Sequence, residues 1–321
     1  MARPSVADPL AGLDEARLER LARVAGHLLG GRPLRSGGAL PHPRAAAAGL
    51  EFLEHRPLMP GDDPRHVDWR ASARHRTALV RRYRDERAGE WILCLDRSAS
   101  MGAAPGVWAL ALTLTAALAY VLLALEHRVG LATFSSTIDA LHPPGRGRAT
   151  YLGLRRALAA AQPRGSGGGS RLEACLPLFE RGREAAVIGD FLRPDAMAAP
   201  LSRLAGRCRA VHVLQVQGPV LLAGDHGPLS LEDAESGQRL DVGAVPELAA
   251  AVEERGRSHA RALAAHCRSR RIRHTACAVG DDWEQALLSH LLGSAGQAQG
   301  PVPPLRGPAA AVHTPSEAGG A

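Results

Sequence analysis

The chain has 321 residues, 45% hydrophobic and 22% charged, which is ample for the core of one large α/β domain or two smaller ones. All 39 basic residues are arginine, and the missing lysine argues against a P-loop nucleotidase, whose lysine reaches the β- and γ-phosphates. The formal charge is +7, yet aromatics make up only 3% and the arginines are interspersed with acids, so no nucleic-acid partner is expected.

Residues 1–49 read as an N-terminal helix and linker. Met1 to Leu21 alternates charged and apolar residues, without the continuous hydrophobic region of a secretory signal. Asp14 to Leu29 puts Leu18, Leu21, Val24, Ala25 and Leu28 on one helical face and stops at Gly30-Gly31. Arg32 to Gly49 is rich in Pro, Gly and Ala and reads as an irregular crossing.

Residues 50–89 are dense in Arg and Asp. Pro60-Gly61 and Asp63-Pro64 signal turns, and a strand is expected from Thr77 to Arg87. Arg56 to Arg87 holds nine Arg against five acids, so +4 of the chain's +7 falls here. The pattern suggests a partly buried ion-pair network with Trp69 packed among guanidinium planes, or else a solvated charged turn. Arg65, Asp68, Trp69, Arg70 and Arg74 are the candidate partner-binding residues.

Glu90 to Asp96 (EWILCLD) is a short apolar run bounded by charge, as expected of a buried parallel strand. Asp96 sits at its carboxyl end, where ligands of open α/β sheets gather. In an extended loop alternate side chains point the same way, so Asp96, Ser98 and Ser100 would present a carboxylate and two hydroxyls together. Hard oxygens suit a hard cation such as Mg²⁺ or Mn²⁺, with a partner's carboxylate filling a vacant position. This Asp-x-Ser-x-Ser pattern resembles the metal-ion-dependent adhesion site of von Willebrand factor A-like domains. The plainer alternative is a polar strand-to-helix turn with Ser100 as a cap.

A more specific resemblance joins these two stretches. Arg56-Pro57, Pro60-Gly61-Asp62-Asp63-Pro64-Arg65, Asp68-Trp69-Arg70-Ala71-Ser72-Ala73-Arg74 and Asp96-Arg97-Ser98-Ala99-Ser100-Met101 together resemble the bacterial domain of unknown function fifty-eight, from about Leu50 to Asp282. The resemblance implies a von Willebrand factor A-like α/β fold, a doubly wound and mostly parallel sheet flanked by helices, over residues 90–292. It also implies association with a MoxR-type AAA+ ATPase.

Met101 to Leu125 carries no charge and is long enough to span a bilayer. Its place directly after a sheet strand favours a buried central helix, apolar all round. Strands are expected at Arg128 to Phe134 and Thr137 to Leu141, a loop at Pro143 to Gly147 and a helix from Thr150 to Ala161. The glycine-rich 165–170 stretch leads into a helix from Arg171 to Phe179, with Ser170 as N-cap and Glu173 completing a capping box. By the resemblance, Ser170 stands where the family places a metal-ligating Thr, so ligation and capping both stay open.

Ala185 to Gly189 is another buried strand ending at Asp190, which in the resemblance acts on the metal through a bound water, or else caps the helix before Pro194. The family's Ser before this Asp is Gly189 here. A strand at Ala210 to Gln217, a hairpin over Pro228 to Val242 turning at Glu235-Ser236-Gly237-Gln238, a helix from Pro246 to Arg270, a strand at His274 to Val279 and a helix at Trp283 to Leu292 complete the domain. Residues 293–321 are expected to be a disordered tail.

The five cysteines, Cys94, Cys175, Cys208, Cys267 and Cys277, form no C-x-x-C pair and read as reduced residues of a cytoplasmic protein. His266-Cys267 and His274-x-x-Cys277 match no common zinc spacing. No Gly-x-Ser-x-Gly element or second phosphatase Asp is present. With no enzyme signature matched, the leading expectation is a non-enzymatic, metal-dependent protein-binding module, and the resemblance implies that it acts as an adaptor with the ATPase in maturation or assembly of a client protein. The alternatives are a metal-dependent hydrolase using Asp96 and Asp190, and a membrane-attached protein held by residues 101–125.

Overall fold

The computed structural model describes residues 10–29, 50–58, 67–75, 77–85, 89–164, 169–180, 182–219, 229–242 and 246–293. The 30–49 linker, the 59–66 turns with Arg65, most of the glycine-rich loop and the expected tail from 294 lie outside them. The chain forms two compact units, residues 38–88 and a larger one of residues 1–37 with 89–321. Helix α1 (Glu15–Leu29) belongs to the larger unit. It buries Leu18, Leu21, Ala22, Ala25 and Leu29, whereas Val24 and Leu28, expected on that face, are exposed.

In the smaller unit β1 (Leu50–Pro57) pairs antiparallel with β2 (Leu79–Asp85), and α2 (Trp69–His75) lies between them in sequence. Asp68 is buried and starts α2, its Oδ1 accepting from the N–H groups of Arg70 and Ala71 at 3.1 and 3.0 Å. Ser72 Oγ donates to the Asp68 carbonyl and accepts from Leu79 N–H at 2.8 Å, tying the helix to β2. Trp69, the first residue of α2, is 69% exposed rather than buried among guanidinium planes as expected. Arg70 and Arg74 are exposed as well.

The larger unit is built on a six-stranded sheet. Its strands are β3 (Glu90–Asp96), β4 (Arg128–Phe134), β5 (Ile138–Gly145), β6 (Glu184–Gly189), β7 (Ala210–Gln217) and β10 (Arg273–Ala278), in the order β10-β7-β6-β3-β4-β5. All neighbours are parallel except β4 and β5. β5 continues through Pro143 and Pro144, where a loop was expected; an edge strand tolerates proline because its outer N–H positions need no ladder partner. A separate hairpin, β8 (Leu229–Glu232) and β9 (Arg239–Val242), precedes α7 (Pro246–Ser269).

Side chains of β3 alternate between two cores. Trp91, Leu93 and Leu95 join the face covered by α4 (Val107–Ala124), with α1, α5 (Gly147–Ala160) and α8 (Trp283–Leu292) beyond it. Ile92 and Cys94 join the other, where a 3₁₀ helix (Leu172–Leu178), α6 (Pro194–Arg207) and α7 pack. α4 is therefore covered over most of its surface, with Ala109 and Ala124 exposed, which accounts for its apolar character. By length and composition it is apolar enough to cross a membrane, but 72% of it is buried inside the fold.

The chain leaves β3 toward β4 and β5, then returns to β6 on β3's other side and continues to β7 and β10. The strand order thus reverses between β3 and β6, the switch point at whose carboxyl ends open α/β sheets bind their ligands.

Candidate functional site

Asp96 ends β3 and is 3% exposed. Its Oδ1 accepts from Ser98 N–H at 2.8 Å, and Ser98 Oγ lies 3.1 Å from Ser100 Oγ. The three side chains do not meet by extended alternation. Ala99 is helical, and N–H groups of Met101 and Gly102 close on the carbonyls of Ser98 and Ala99, so a tight turn into the short helix α3 (Ser100–Ala103) brings the hydroxyls together. Ser100 is not the cap of that helix; Ala99 holds the position without a side-chain bond. The turn is pinned on both sides, by Arg97 N–H to the Phe134 carbonyl at 2.8 Å and Arg164 N–H to the Arg97 carbonyl at 2.7 Å.

Ser170 enters from a loop tied to the end of β4 by Arg171 N–H donating to the Ser135 carbonyl at 2.8 Å. The expected capping box is absent: Arg171 precedes the helix with no side-chain bond, and the segment is 3₁₀, with Pro177 inside it. Ser170 Oγ is buried without a hydrogen-bond partner.

Asp190 follows β6, its carbonyl receiving Gln215 Nε2 at 3.3 Å and its Oδ1 receiving Leu192 N–H at 3.3 Å. It does not cap α6, whose N-cap Arg193 has no side-chain bond. Phe191 takes a left-handed φ of 53° while its ring is buried, so the chain turns sharply at the site and accepts backbone strain to do so. Asp190 Oδ2 is buried and unpartnered. Gly189 fits because an added Cβ would stand 3.0 Å from Asp96 Cβ.

One contributor was missed in the sequence. Glu235, read only as a hairpin turn residue, places Oε1 where it accepts from Ser100 N–H at 3.2 Å, and its Oε2 is buried and unpartnered. No local signal could have found it, since the contact joins residues 135 apart.

Burial, then the negative charge of Asp190, pushes the Asp96 carboxyl up to about 6, against the lowering effect of Ser170 and Ser98. Burial also raises Asp190, whose charge is favoured by Ser100 and Leu192 N–H and opposed by Glu235. The Ser170 and Ser100 hydroxyls thus face these carboxyls, but neither Ser170 Oγ nor Asp190 Oδ2 closes a regular hydrogen bond.

Asp96, Ser98, Ser100, Ser170, Asp190 and Glu235 offer only oxygen, the donor set of a hard cation. Among the described residues no three of His, Cys, Asp and Glu gather as a metal centre, so a cation here would depend on hydroxyls and waters as well. The histidine and cysteine pairs noted in the sequence do not assemble either, with His266 against Ser202, His274 against Gln215 and Cys267 and Cys277 in separate cores. Of the candidate partner-binding residues, Asp68, Trp69, Arg70 and Arg74 lie in the smaller unit.

Uncharacterized proteins of Mycobacterium bovis and of two strains of Mycobacterium tuberculosis are each 28% identical to the chain over 207 residues. The match covers 62% of the chain and 64% of each relative, so under two thirds of their length is represented. The family profile described as Protein of unknown function DUF58 matches residues 54–262, which takes in α2 and most of the sheet with Asp96, Ser98, Ser100, Ser170, Asp190 and Glu235. The chain belongs to the DUF58 family.

Proposed function

We propose that the chain is a cation-dependent protein-binding adaptor, with a von Willebrand factor A-like domain that holds Mg²⁺ or Mn²⁺ at the ends of β3 and β6. Asp96, Ser98, Ser100 and Ser170 are the direct ligands, and Asp190 acts through a bound water. The observation that carries this reading is the pair of buried carboxylates, Asp96 and Asp190, with an unpartnered oxygen on Asp190 and another on Ser170 beside them. Leaving such groups unmatched is unfavourable unless a cation compensates them.

A donor set of carboxylates and hydroxyls alone suits binding, in which a partner's Asp or Glu completes the cation's shell. Exposed Arg164, Arg171 and Arg193 border the site, a rim suited to an acidic partner segment. Following the family resemblance, the partner is a MoxR-type AAA+ ATPase in the cytoplasm, and the pair acts in maturation or assembly of another protein.

Calorimetry against the co-encoded ATPase tests this with Mg²⁺ and with chelator, for the native chain and Asp96→Ala. Binding lost with chelator and in a folded Asp96→Ala protein is the expected result. Binding unchanged in both removes Asp96 as a bridging site, and absence of any binding removes the partner.

A further inference from the structure

Glu235 reaches the site from the turn between β8 and β9, and that turn is closed without its side chain. Asp233 Oδ1 accepts from the N–H groups of Glu235 and Ser236 at 2.7 and 3.0 Å, and Asp233 N–H donates to the Gln238 carbonyl at 2.8 Å. Gly237, at φ +69°, returns its N–H to the Asp233 carbonyl at 2.8 Å. The Glu235 carboxylate is thereby free of the turn and is delivered to Ser100 N–H.

Only one of its oxygens is used there. Oε2 is buried without a donor, as is Oδ2 of Asp190, whose charge Glu235 opposes. In a bare protein this arrangement is doubly unfavourable, an unsatisfied buried acceptor beside a like charge. A carboxylate on a surface hairpin could escape into water by rotating away. That it is held inward gives it the position of a ligand.

A hard divalent cation such as Mg²⁺ takes six oxygens, and one carboxylate with three hydroxyls does not fill that shell. Resting on the cation-binding reading above, we propose that Glu235 completes the cation site from within the chain, so that an acidic partner engages the cation by displacing it. The hairpin meets the same positive rim a partner would: after the Ser236 and Glu235 N–H groups, Arg193 favours the charge of Asp233 on the hairpin turn, and its Nη1 lies 3.2 Å from where a Cβ on Gly169 would stand, beside Ser170.

Mn²⁺ titrations of the full chain test this, read by calorimetry and by water-proton relaxation for the native protein, Glu235→Gln and Asp96→Ala. Glu235→Gln is expected to weaken Mn²⁺ by about tenfold. Each Mn²⁺ bound to that variant should also relax water more strongly, because about one further water enters the shell. Added acetate should then reduce that relaxation in Glu235→Gln and leave the native chain unaffected.

Equal affinity and relaxation in native and Glu235→Gln proteins, with Asp96→Ala still weakening binding by about a hundredfold, overturns Glu235 as a ligand and leaves the cation site standing. No Mn²⁺ bound by the native chain overturns both. Weaker binding in Glu235→Gln without extra relaxation also overturns the proposal, because a merely structural hairpin contact would lower affinity without admitting a water.

Discussion

Strands β3 and β6 carry a carboxylate at each end, and the two ends treat it differently. At the amino end Glu90 Oε1 receives Arg183 Nε at 2.6 Å and Oε2 faces Arg128 Nε at 3.6 Å, while Glu184 on the neighbouring strand faces Arg209 at 3.6 Å. At the carboxyl end no arginine pairs with Asp96 or Asp190 among the described residues. Burial is the first cause of a raised carboxyl at both ends, to about 7 for Glu184 and about 6 for Asp96. Within one sheet, then, buried acid is accompanied by guanidinium groups at one end, where Glu184 Oε2 still lacks a hydrogen bond, and by more acid and hydroxyls at the other. On the cation-binding proposal, the first arrangement is framework and the second is the one that would gain from a cation.

The largest break in this symmetry is expected from Asp96→Ala. Removing a direct ligand should weaken Mn²⁺ by about a hundredfold. Arg183→Ala at the opposite end should leave Mn²⁺ affinity unchanged. At a hundred times the dissociation constant, the cation should stabilise the native chain by about 2.7 kcal/mol. That gain is read as the difference in melting temperature with and without chelator, and it should fall to about 0.4 kcal/mol in Asp96→Ala and persist in Arg183→Ala.

A smaller effect belongs to the amino end and to pH. Folding raises Glu184 from 4.5 to about 7, so the folded state holds this proton more tightly than the unfolded chain. Stability from this group is therefore fully present below pH 4.5 and declines as the pH rises toward 7. That shift already includes the pull of Arg209 and corresponds to about 3 kcal/mol at most; screening at a site still partly solvated should leave about 2 kcal/mol. Denaturant midpoints for native and Glu184→Gln proteins across that range check it: the variant's slope should be shallower by that amount, the remainder coming from the raised Asp96 and Asp190, and its Mn²⁺ affinity should match the native chain's.

Arg183→Ala sharpens the same end by a lesser amount. It removes the 2.6 Å contact to Glu90 and a donor to the Leu178 carbonyl, on a pair still about one quarter exposed. A loss of about 1 kcal/mol is expected, reduced by salt.

Much of this framework was legible in the chain. β3, β4, β7 and α8 begin and end where their apolar patterns do, because each is bounded by charge or a turn residue and buried on the faces the pattern predicts. Asp96 and Asp190 were legible for the same reason, as carboxylates ending apolar runs. Other features turn on forces the local pattern does not carry. Ser170-x-x-Glu173 has the letters of a capping box, but the backbone follows Arg171 onto Ser135 and tightens into a 3₁₀ helix, leaving the hydroxyl for the site. α1 rolls so that Ala22 and Leu29 are buried and Leu28 is exposed, a choice made by α4 and α8, not by its own periodicity. Glu235 is the extreme case, since its partner is fixed only when the whole sheet has formed.

Gly189→Ser is the mildest change and the most direct probe of how firmly the carboxyl end is set. A Cβ at residue 189 would stand 3.0 Å from Asp96 Cβ and 3.4 Å from Oδ2, so Asp96 must give by a few tenths of an ångström. The backbone at 189 stays paired with Gln215, so the sheet itself need not move. Overpacking by so small a group should lower stability by about 1 kcal/mol. Mn²⁺ affinity should fall severalfold, because the displaced atom carries the ligand carboxylate and ligand geometry is sensitive to small shifts. Gly153→Ser on α5, where nothing lies within 4 Å of the added Cβ, is the control and should leave Mn²⁺ affinity unchanged. If Gly189→Ser instead tightens Mn²⁺, the new hydroxyl has joined the shell, and the glycine here marks a cation site held one ligand short at β6, where the resemblance places a serine.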